Sequence, residues 1–590
     1  MALSGDLISA ILEADTLLAV DVGSVNTRAS LFDVVDGRYR MVATGRASST
    51  AGAPLFDVRE GMNMAVDDLS AVTGRMLLDE GDNLIIPTTP EGAGVDAFVA
   101  TASAGPRPRT VLVGLMPGVS MESARRLAGS TYLNVVEEIG LMDRRREEEQ
   151  VDVLIASQPD MILMVGGTDG GATASVLRMI ETVGLATSLL ATAHRPNLVF
   201  AGNRLLGAAV SEYFQDRAPV TIVPNIRPAL DQEELEPARL KLSEVIRELR
   251  AGKISGFEDL QAWSGGSMML SADAFGRVVR YLSQVYDPDK GVLGIDVGAS
   301  HVSVAAAFDG NLHLRVNSDL GLGSSMPGLM RYATIKDISR WLPGDVPEGR
   351  VRDYLYNKAL YPGSIPSELE DLHIEYALAR ELIRTAIALS RADWPKGASS
   401  TLLPAFEPII ASGGAIARAP RPGYAALTLL DAIQPRGVTT LVLDPHNLIP
   451  AVGAAAGLLP MITVQVLESG SFVSLGTAVA PIGLGRHGRP VMRVRVEPEG
   501  GGETLEGVVR FGQVVLLPLR QGQHARLTVR PESGFDVGFG GRGKAGALRV
   551  AGGVLGVIID ARGRPLELAK DPVERREANL KWLHDIGAVK

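Results

Sequence analysis

Two short segments with the same order of residue types constrain the fold of this chain more than any other feature. In the first, the apolar run Leu17–Val20 is followed by Asp21, and Gly23 comes two positions later. In the second, Asp296 and Gly298 follow an apolar run in the same way. Each pattern predicts a buried strand, a tight turn and a second strand. The two copies lie too far apart for a local repeat, so they indicate two similar half-domains.

The polar groups of the first turn are of the types that bind a phosphate and a cation. Gly23 has no Cβ atom, so the backbone can approach a ligand closely there. Ser24, Asn26 and Thr27 offer amide and hydroxyl donors to an anion. The Asp21 carboxylate, at the end of the strand, is suited to a hydrated divalent cation. A hairpin with an ordinary polar turn has the same pattern, and that alternative stays open for one copy alone.

A third segment is a buried strand that ends in a glycine pair. It comprises Pro408–Ala411 followed by Ser412, Gly413, Gly414 and Ala415. Another buried strand, Leu441–Leu443, and a helix of small residues come next.

With these three segments the chain resembles the ATPase superfamily of sugar kinases, actin and the seventy-kilodalton heat-shock chaperones. In that superfamily the first two motifs hold the phosphates and the metal, and the third lies against the adenosine. Within it, the chain most resembles the MutL family of accessory proteins of adenosylcobalamin-dependent glutamate mutase, which is unrelated to the mismatch-repair protein of that name. The resemblance runs from about Leu17 to Leu458 and includes Val165–Gly171, Val199–Arg204 and Asp319–Gly321.

The resemblance implies ATP and Mg²⁺ as cofactors and assigns roles to particular residues. Asp21 and Asp296 would hold the metal and orient water, with His301 as a substitute acid or base or, alternatively, a structural histidine. The nucleotide would contact Gly23, Ser24, Asn26, Thr27, Gly298, Ala299, Ser300, Asp319, Gly321, Ser412, Gly413, Gly414 and Ala415.

The chain departs from the family at two acidic positions. The second family motif usually continues Asp-x-Gly-Gly-Ala-Thr-Thr-Asp, whereas here His301 and Val302 replace the threonine pair and Ser303 replaces the final aspartate. Asn317 stands two positions before Asp319, where the family has an acidic residue. The loss of two carboxylates puts fast hydrolysis in doubt, although nucleotide binding would survive it.

Three functions are compatible with these motifs. The first is an ATP-binding, weakly ATP-hydrolysing, chaperone-like protein that acts on an adenosylcobalamin-dependent mutase. The second is a non-hydrolysing scaffold, and the third is a small-molecule kinase of the same fold. The net charge of −10 over 590 residues argues against nucleic acid as the main partner. The absence of cysteine and of a secretory signal pattern is consistent with a cytoplasmic protein, and no membrane segment is expected.

The expected fold class is α/β: a two-lobed actin-like ATPase fold with an inserted doubly wound domain and a β-rich C-terminal domain. Strands alternate with helices in the inserted part, which predicts a parallel sheet. The expected boundaries are 1–108 for the first part of lobe one, 109–227 for the insertion, 228–290 for a helical connection, 291–460 for lobe two and 461–590 for the C-terminal domain.

Several local patterns carry further expectations. Residues 166–171 contain four glycines after a strand, which indicates either a ligand site or a tight turn. The charged run 231–250 predicts a solvated helix, residues 332–366 an irregular segment, and 448–464 a buried helix followed by a strand. Residues before Leu17 predict an amphipathic helix. Gly538–Ala545 approximates a Walker A loop, but Ala545 lacks the hydroxyl that this motif needs, so a turn followed by a strand is expected.

Overall fold

The structure, a computed structural model, describes residues 14–394 and 402–590. The helix expected before Leu17 lies outside the described residues. The strands, in chain order, are β1 (Thr16–Val22), β2 (Asn26–Val35), β3 (Arg38–Ser48), β4 (Ala97–Ala102), β5 (Arg109–Gly114), β6 (Asn134–Gly140), β7 (Met161–Met164), β8 (Asn197–Phe200), β9 (Val220–Ile222), β10 (Met269–Leu270), β11 (Gly291–Val297), β12 (Val302–Phe308), β13 (Asn311–Asn317), β14 (Phe406–Ser412), β15 (Gly437–Leu443), β16 (Val473–Ala480), β17 (Pro490–Pro498), β18 (Leu505–Arg510), β19 (Val514–Leu517), β20 (His524–Pro531), β21 (Gly546–Ala551) and β22 (Val557–Asp560).

The α-helices connect these strands and cover the sheets. In chain order they are α1 (Val58–Thr73), α2 (Ser120–Gly129), α3 (Glu147–Ala156), α4 (Thr173–Leu189), α5 (Gly207–Phe214), α6 (Glu236–Ala251), α7 (Phe257–Trp263), α8 (Ser271–Val285), α9 (Ile335–Ser339), α10 (Glu348–Leu360), α11 (Leu369–Ser390), α12 (Gly414–Ala417), α13 (Pro422–Ile433), α14 (Leu448–Ala455), α15 (Pro460–Glu468) and α16 (Pro572–Asp585). Local chemistry fixes several ends: the Asp57 side chain accepts from Arg59 N at the start of α1, and Gly74 closes that helix at φ 71°.

The chain divides into two compact units. The N-terminal unit comprises residues 19–29 and 45–273. The C-terminal unit comprises residues 14–18, 30–44 and the described part of 274–590. The combination of helices with several sheets confirms the expected α/β class.

Two five-stranded sheets lie in the first half of the chain. One has the order β10-β4-β1-β2-β3, and its pair β10–β4 is parallel. The other has the order β6-β5-β7-β8-β9 and is parallel throughout. Its strand order is that of a flavodoxin-like sheet, in which ligands bind beyond the carboxyl ends of the strands. Its buried residues, among them Val113, Met164 and Phe200, form a core of their own.

The C-terminal unit contains an eight-stranded sheet in the order β13-β12-β11-β14-β15-β16-β22-β19. The pairs β11–β14, β14–β15 and β16–β22 are parallel, and the other pairs are antiparallel. Helix α11 contributes Ile374, Leu378 and Leu382 to the large core on one face of this sheet, as its apolar spacing predicts.

The strands of the C-terminal β region, for which a separate domain is expected, belong to two sheets. Strands β16, β19 and β22 extend the eight-stranded sheet, and only β17, β18, β20 and β21 form a sheet of their own, with the order β18-β17-β20-β21. The residues near 461, where the boundary was expected, form helix α15. Composition records strand propensity and carries no information about which strands pair, so it does not separate the strands of these two sheets.

Of three other local expectations, one is wrong and two hold only in part. Residues 332–366 contain α9 and α10, the first of which begins with a capping box between Thr334 and Asp337. Residues 448–464 contain the whole of α14, which is buried as expected, but the start of α15 stands where a strand was expected. Most of the charged run 231–250 lies in α6, so the expected helix is confirmed, but this helix buries Arg239 and Arg250 on one side and is solvated only on the other.

Candidate functional site

The first predicted motif is a tight turn between β1 and β2. Gly23 N donates to Asn26 O at 3.0 Å, and a Cβ atom at position 23 would lie 2.7 Å from that oxygen. The turn therefore requires glycine. Ser24 and Asn26 are exposed beside it, in positions that a ligand can reach.

Asp21 is held in place by two hydroxyl groups that the sequence does not point to. Thr101 Oγ1 in β4 and Ser271 Oγ at the start of α8 both donate to Asp21 Oδ1 at 2.8 Å. Arg28 Nη1 lies 3.7 Å from Asp21 Oδ2. Because the carboxylate is only 6% exposed, these contacts fix its orientation at the end of β1.

Thr27 lies on a different side of the turn from Ser24 and Asn26. Its side chain is fully buried, and its Oγ1 lies 3.2 Å from where a Cβ atom on Gly61 of α1 would be. This oxygen has no hydrogen-bond partner among the described residues. The expected contact between Thr27 and phosphate therefore does not fit this arrangement, in which the side chain faces α1.

The second motif forms a similar turn between β11 and β12. Gly298 N donates to His301 O at 3.0 Å, as Gly23 does to Asn26 in the first turn. Residues Gly298, Ala299 and Ser300 are half-buried. The glycine-rich segment after Asp319 packs against this turn, because Leu322 N donates to Gly298 O at 2.8 Å. A Cβ atom at Gly321 would lie 2.8 Å from His301 N. The structure therefore brings these two predicted segments together.

Two predicted residues of this region have side chains engaged within the protein. His301 is 5% exposed, and its Nδ1 lies 3.2 Å from Ser300 Oγ, an arrangement that favours the structural alternative for this histidine. Asp319 pairs with Arg331 at 2.9 Å and accepts from the Tyr332 hydroxyl at 3.0 Å. Burial of that hydroxyl, together with the Asp319 carboxylate, raises the pKa of Tyr332.

Asp296 lies in register with two serines on neighbouring strands. It is directly opposite Ser303 in β12 and opposite Ser412 in β14. Directly opposite residues share a face of a sheet, so these three side chains lie on one face near the carboxyl ends of β11 and β14. Asp296 is half-buried, Ser303 is 1% exposed, and Ser303 Oγ has no hydrogen-bond partner among the described residues.

Asn317 lies on the other face of the sheet from Ser303. It is directly opposite Val302, a member of the core on that face, and its Nδ2 donates to Val302 O at 3.1 Å. The resemblance to the family makes Ser303 and Asn317 two replaced carboxylates near the phosphates. In the structure their side chains lie on opposite faces of the sheet, so they do not face one common site.

The third motif crosses the end of β11. Gly413 has φ 95°, and a Cβ atom there would overlap the carbonyl oxygen of Val297. Gly414 begins α12 and has no atom within 4 Å of its Cβ position. The Tyr376 hydroxyl in α11 donates to Ala415 O at 2.8 Å, so this helix contacts the third motif. Ser412 Oγ donates to Asn447 Oδ1 at 2.9 Å.

The carboxylate that each of these motifs offers fits a hydrated magnesium ion better than a protein-enclosed metal. No three histidine or acidic side chains gather into a metal site within residues 14–394 and 402–590. Asp21 and Asp296 are single carboxylates at strand ends. Magnesium typically keeps several waters and is held by one or two carboxylates together with substrate phosphates, so this donor set is compatible with it.

The glycine-rich turn after β7 is explained by its own geometry. Three of its glycines have positive φ angles, and Thr168 Oγ1 lies 2.6 Å from the Cβ position of Gly171. Asp169 accepts from Asn225 Nδ2 and from Arg204 N at 2.9 Å each, and these bonds lower the pKa of its carboxyl group. These internal contacts favour the tight-turn alternative.

The Walker-like segment is followed by a strand, as expected. Lys544 is exposed, and β21 begins two residues later at Gly546. A Walker A loop needs a helix after its lysine, so this segment does not have that structure.

Comparison with known families identifies the chain. The model of the family described as "MutL protein" matches residues 17–470, which is more than half of the chain. The chain therefore belongs to the MutL family, the one that its motifs indicate. A relative named "Protein MutL" from Clostridium tetanomorphum is 25% identical over 405 residues, covering 64% of this chain and 78% of the relative.

Solved structures of three proteins give weaker matches. A nucleotide-free acetone carboxylase matches with a TM-score of 0.34 at 13% identity, covering 84% of this chain and 81% of that one. A nucleotide-free diol dehydratase-reactivating factor gives 0.29 at 9% identity, covering 77% and 99%. Component A of (R)-2-hydroxyglutaryl-CoA dehydratase from Acidaminococcus fermentans gives 0.25 at 10% identity, covering 75% and 96%. In the part of this chain that the structure describes, no helix is both long and apolar enough to cross a membrane.

Proposed function

We propose that this protein binds Mg²⁺–ATP, hydrolyses it slowly, and uses it to act on an adenosylcobalamin-dependent mutase as an accessory protein. Membership of the MutL family is the observation that carries the proposal. Within the C-terminal unit, the turn after β11 and the turn after β14 meet at the carboxyl ends of adjacent parallel strands, the usual ligand position in such sheets.

The proposal includes the domain arrangement that the resemblance implies. Two lobes of an actin-like ATPase would consist of residues 1–108 with 228–290 and of residues from 291 onward. The parallel sheet of residues 109–227 would be an insertion between the parts of the first lobe. Because β16, β19 and β22 continue the eight-stranded sheet, the second lobe would extend well beyond residue 460.

Each motif has a role that follows from its chemistry. Backbone amides of the turns at Gly23 and Gly298, with the side chains of Ser24, Asn26 and Ser300, would donate to phosphate oxygens. Asp21 and Asp296 would orient water molecules around the metal. Bound Mg²⁺ supplies charge neutralisation for the phosphates. The open backbone at Gly414 would leave room for the ribose and purine.

A non-hydrolysing nucleotide-binding scaffold is the second candidate. Ser303 favours it, because a hydroxyl without a partner stands opposite Asp296 at the position where the family has a carboxylate. In such a protein the nucleotide would change affinity for the partner through binding alone.

The test of nucleotide binding is the thermal shift produced by Mg²⁺–ATP in Asp21→Asn and Asp296→Asn variants. A ligand at a hundred times its dissociation constant stabilises the folded protein by about 2.7 kcal/mol, which a melting curve detects. We expect the shift in the wild type and its loss in both variants. Asp353→Asn, at an exposed position of α10, is the matched control. Unchanged shifts in both site variants would contradict the site.

The test of function is phosphate release and mutase activity measured together. We expect purified adenosylcobalamin-dependent glutamate mutase, inactivated by turnover, to regain activity only with this protein, Mg²⁺–ATP and free cofactor. Recovery with a non-hydrolysable ATP analogue would favour the scaffold. No recovery with any nucleotide would contradict the accessory role, whereas the thermal shift would still report on nucleotide binding.

A further inference from the structure

The sheet formed by β17, β18, β20 and β21 has one buried face and one charged face. Along β17 the side chains of Val494 and Val496 are buried, and those of Arg493 and Arg495 between them are exposed. The same alternation places Arg526 and Arg530 of β20 on the exposed face. The buried side chains pack together with Val479 of β16 and Ile559 of β22 in one core. The exposed face has no such cover among the described residues.

Strand register places like charges directly opposite each other on this face. Arg493 in β17 is the register partner of Arg530 in β20, and Arg526 in β20 is the partner of Arg549 in β21. Like charges in directly opposite positions destabilise a sheet. We call this set the arginine face; it consists of Arg493, Arg495, Arg526, Arg530 and Arg549.

Neighbouring glutamates neutralise only part of the arginine face. Arg495 pairs with Glu497 at 2.8 Å and Glu506 at 3.1 Å, and Arg549 pairs with Glu499 at 2.8 Å. Glu497 in β17 is also the register partner of Arg526, although its ion pair is with Arg495. Among the described residues, no carboxylate forms an ion pair with Arg493, Arg526 or Arg530. This positive face stands out on a chain whose net charge is −10. The acidic residues of the chain already supply the net charge that keeps a protein soluble, so solubility does not explain this basic cluster. A binding partner of opposite charge does explain it.

We propose that the arginine face is an interaction surface for an acidic segment of another protein. Three features favour protein over nucleic acid. The interspersed glutamates would repel a continuous phosphate backbone, and no Phe, Tyr or Trp occupies an exposed position on these four strands for a base to stack on. Val508 is 47% exposed directly opposite Arg493, and it adds an apolar contact that a protein side chain can use. The sheet lies after residue 470, outside the part that the family model matches, and the inference does not depend on nucleotide binding.

The test uses poly-L-glutamate as the probe and the full chain as the protein. We expect the wild type to be retained on immobilised polyglutamate at low salt and released as salt rises. The Arg493→Glu/Arg530→Glu variant should bind at least about tenfold more weakly, since both charges change sign at the centre of the face. Arg178→Glu/Arg352→Glu changes the net charge equally at two exposed arginines on α4 and α10, and it should bind as the wild type does.

Three outcomes would overturn the proposal. They are no retention of the wild type, equal loss in the control variant, or competition by an oligo-dT as effective as that by free polyglutamate. Melting curves accompany each variant. The single Arg493→Glu variant keeps the test interpretable if the double variant is unstable, because it replaces a like-charge pair by an opposite-charge pair with Arg530 and should fold at least as well as the wild type.

Discussion

Gly413 crosses the end of β11 so closely that a Cβ atom on it would overlap the carbonyl oxygen of Val297. At the neighbouring Gly414, no atom lies within 4 Å of the position that a Cβ atom would take. Of these two adjacent glycines, only the first is required by a close approach of the main chain.

This difference gives a matched pair of substitutions. Gly413→Ala should lower the free energy of unfolding by about 3 kcal/mol or more, because it combines a left-handed backbone with a clash against main chain. Gly414→Ala should change it by no more than about 0.5 kcal/mol. Urea unfolding measures both. Equal effects would show that the backbone near Val297 moves to accommodate a side chain.

Gly414→Trp should keep the stability of the wild type and lose affinity for ATP by about tenfold or more, because the indole would fill space beside the proposed purine position. Isothermal titration with Mg²⁺–ATP measures the affinity. Wild-type affinity in this variant would place the nucleotide elsewhere.

Lys544 is predicted to have no part in nucleotide binding, although its sequence context resembles a phosphate loop. Lys544→Ala should leave ATP affinity within a factor of about two and stability within about 0.5 kcal/mol, since the side chain is exposed in a turn before β21. The same titration measures it. A tenfold loss would move the nucleotide site into the C-terminal strands.

His373 should make stability depend on pH. Burial, together with the nearby Arg380 guanidinium, lowers the pKa of this histidine to about 4. The unfolded chain, with an ordinary pKa of about 6.5, binds the proton more tightly, so acidification through that interval favours unfolding. Between about pH 7 and about pH 4.5, the free energy of unfolding should fall less in His373→Gln than in the wild type. The difference should be on the order of 1–2 kcal/mol, because the partial exposure of the ring reduces the effect.

The control for this prediction is His584→Gln, which changes an exposed histidine of α16. Urea midpoints at both pH values measure the effect. If the stability of His373→Gln and of the control follows the same pH dependence as that of the wild type, protonation of His373 does not lower the free energy of unfolding, and the prediction is wrong.

The strand–turn motifs were predictable because their signals are local. The apolar runs before Asp21 and Asp296 and the glycines after them determine each turn within a few residues. Thr101 and Ser271 were not predictable as partners of Asp21, since each reaches it from a distant part of the chain. The burial of Arg239 likewise depends on its ion pair with Asp273.

Register is the other property that local pattern does not carry. Residue composition identifies β16 and β22 as strands but does not show that they extend the eight-stranded sheet. Likewise, Ser303 and Asn317 look equivalent as replaced acidic residues. A one-residue difference in pairing puts their side chains on opposite faces.

That difference determines the last prediction. Ser303→Asp should raise the rate of ATP hydrolysis, because a carboxylate opposite Asp296 can orient the attacking water, and such assistance is worth on the order of a hundredfold when positioning is good. Without nucleotide, the same variant should be less stable than the wild type, since two carboxylates then lie side by side in a partly buried position. Mg²⁺–ATP should restore the lost stability.

Two variants separate this effect from simple perturbation of the site. Ser303→Asn has the same size without the charge, so it should hydrolyse ATP at the wild-type rate. Asn317→Glu places its carboxylate on the core side, beside Val302, so it should lower stability without raising the rate. Phosphate release and melting temperature, measured on all three variants and the wild type, show whether the rate rises only with a carboxylate at position 303. A wild-type rate equal to that of Ser303→Asp would mean that the missing carboxylate does not limit hydrolysis.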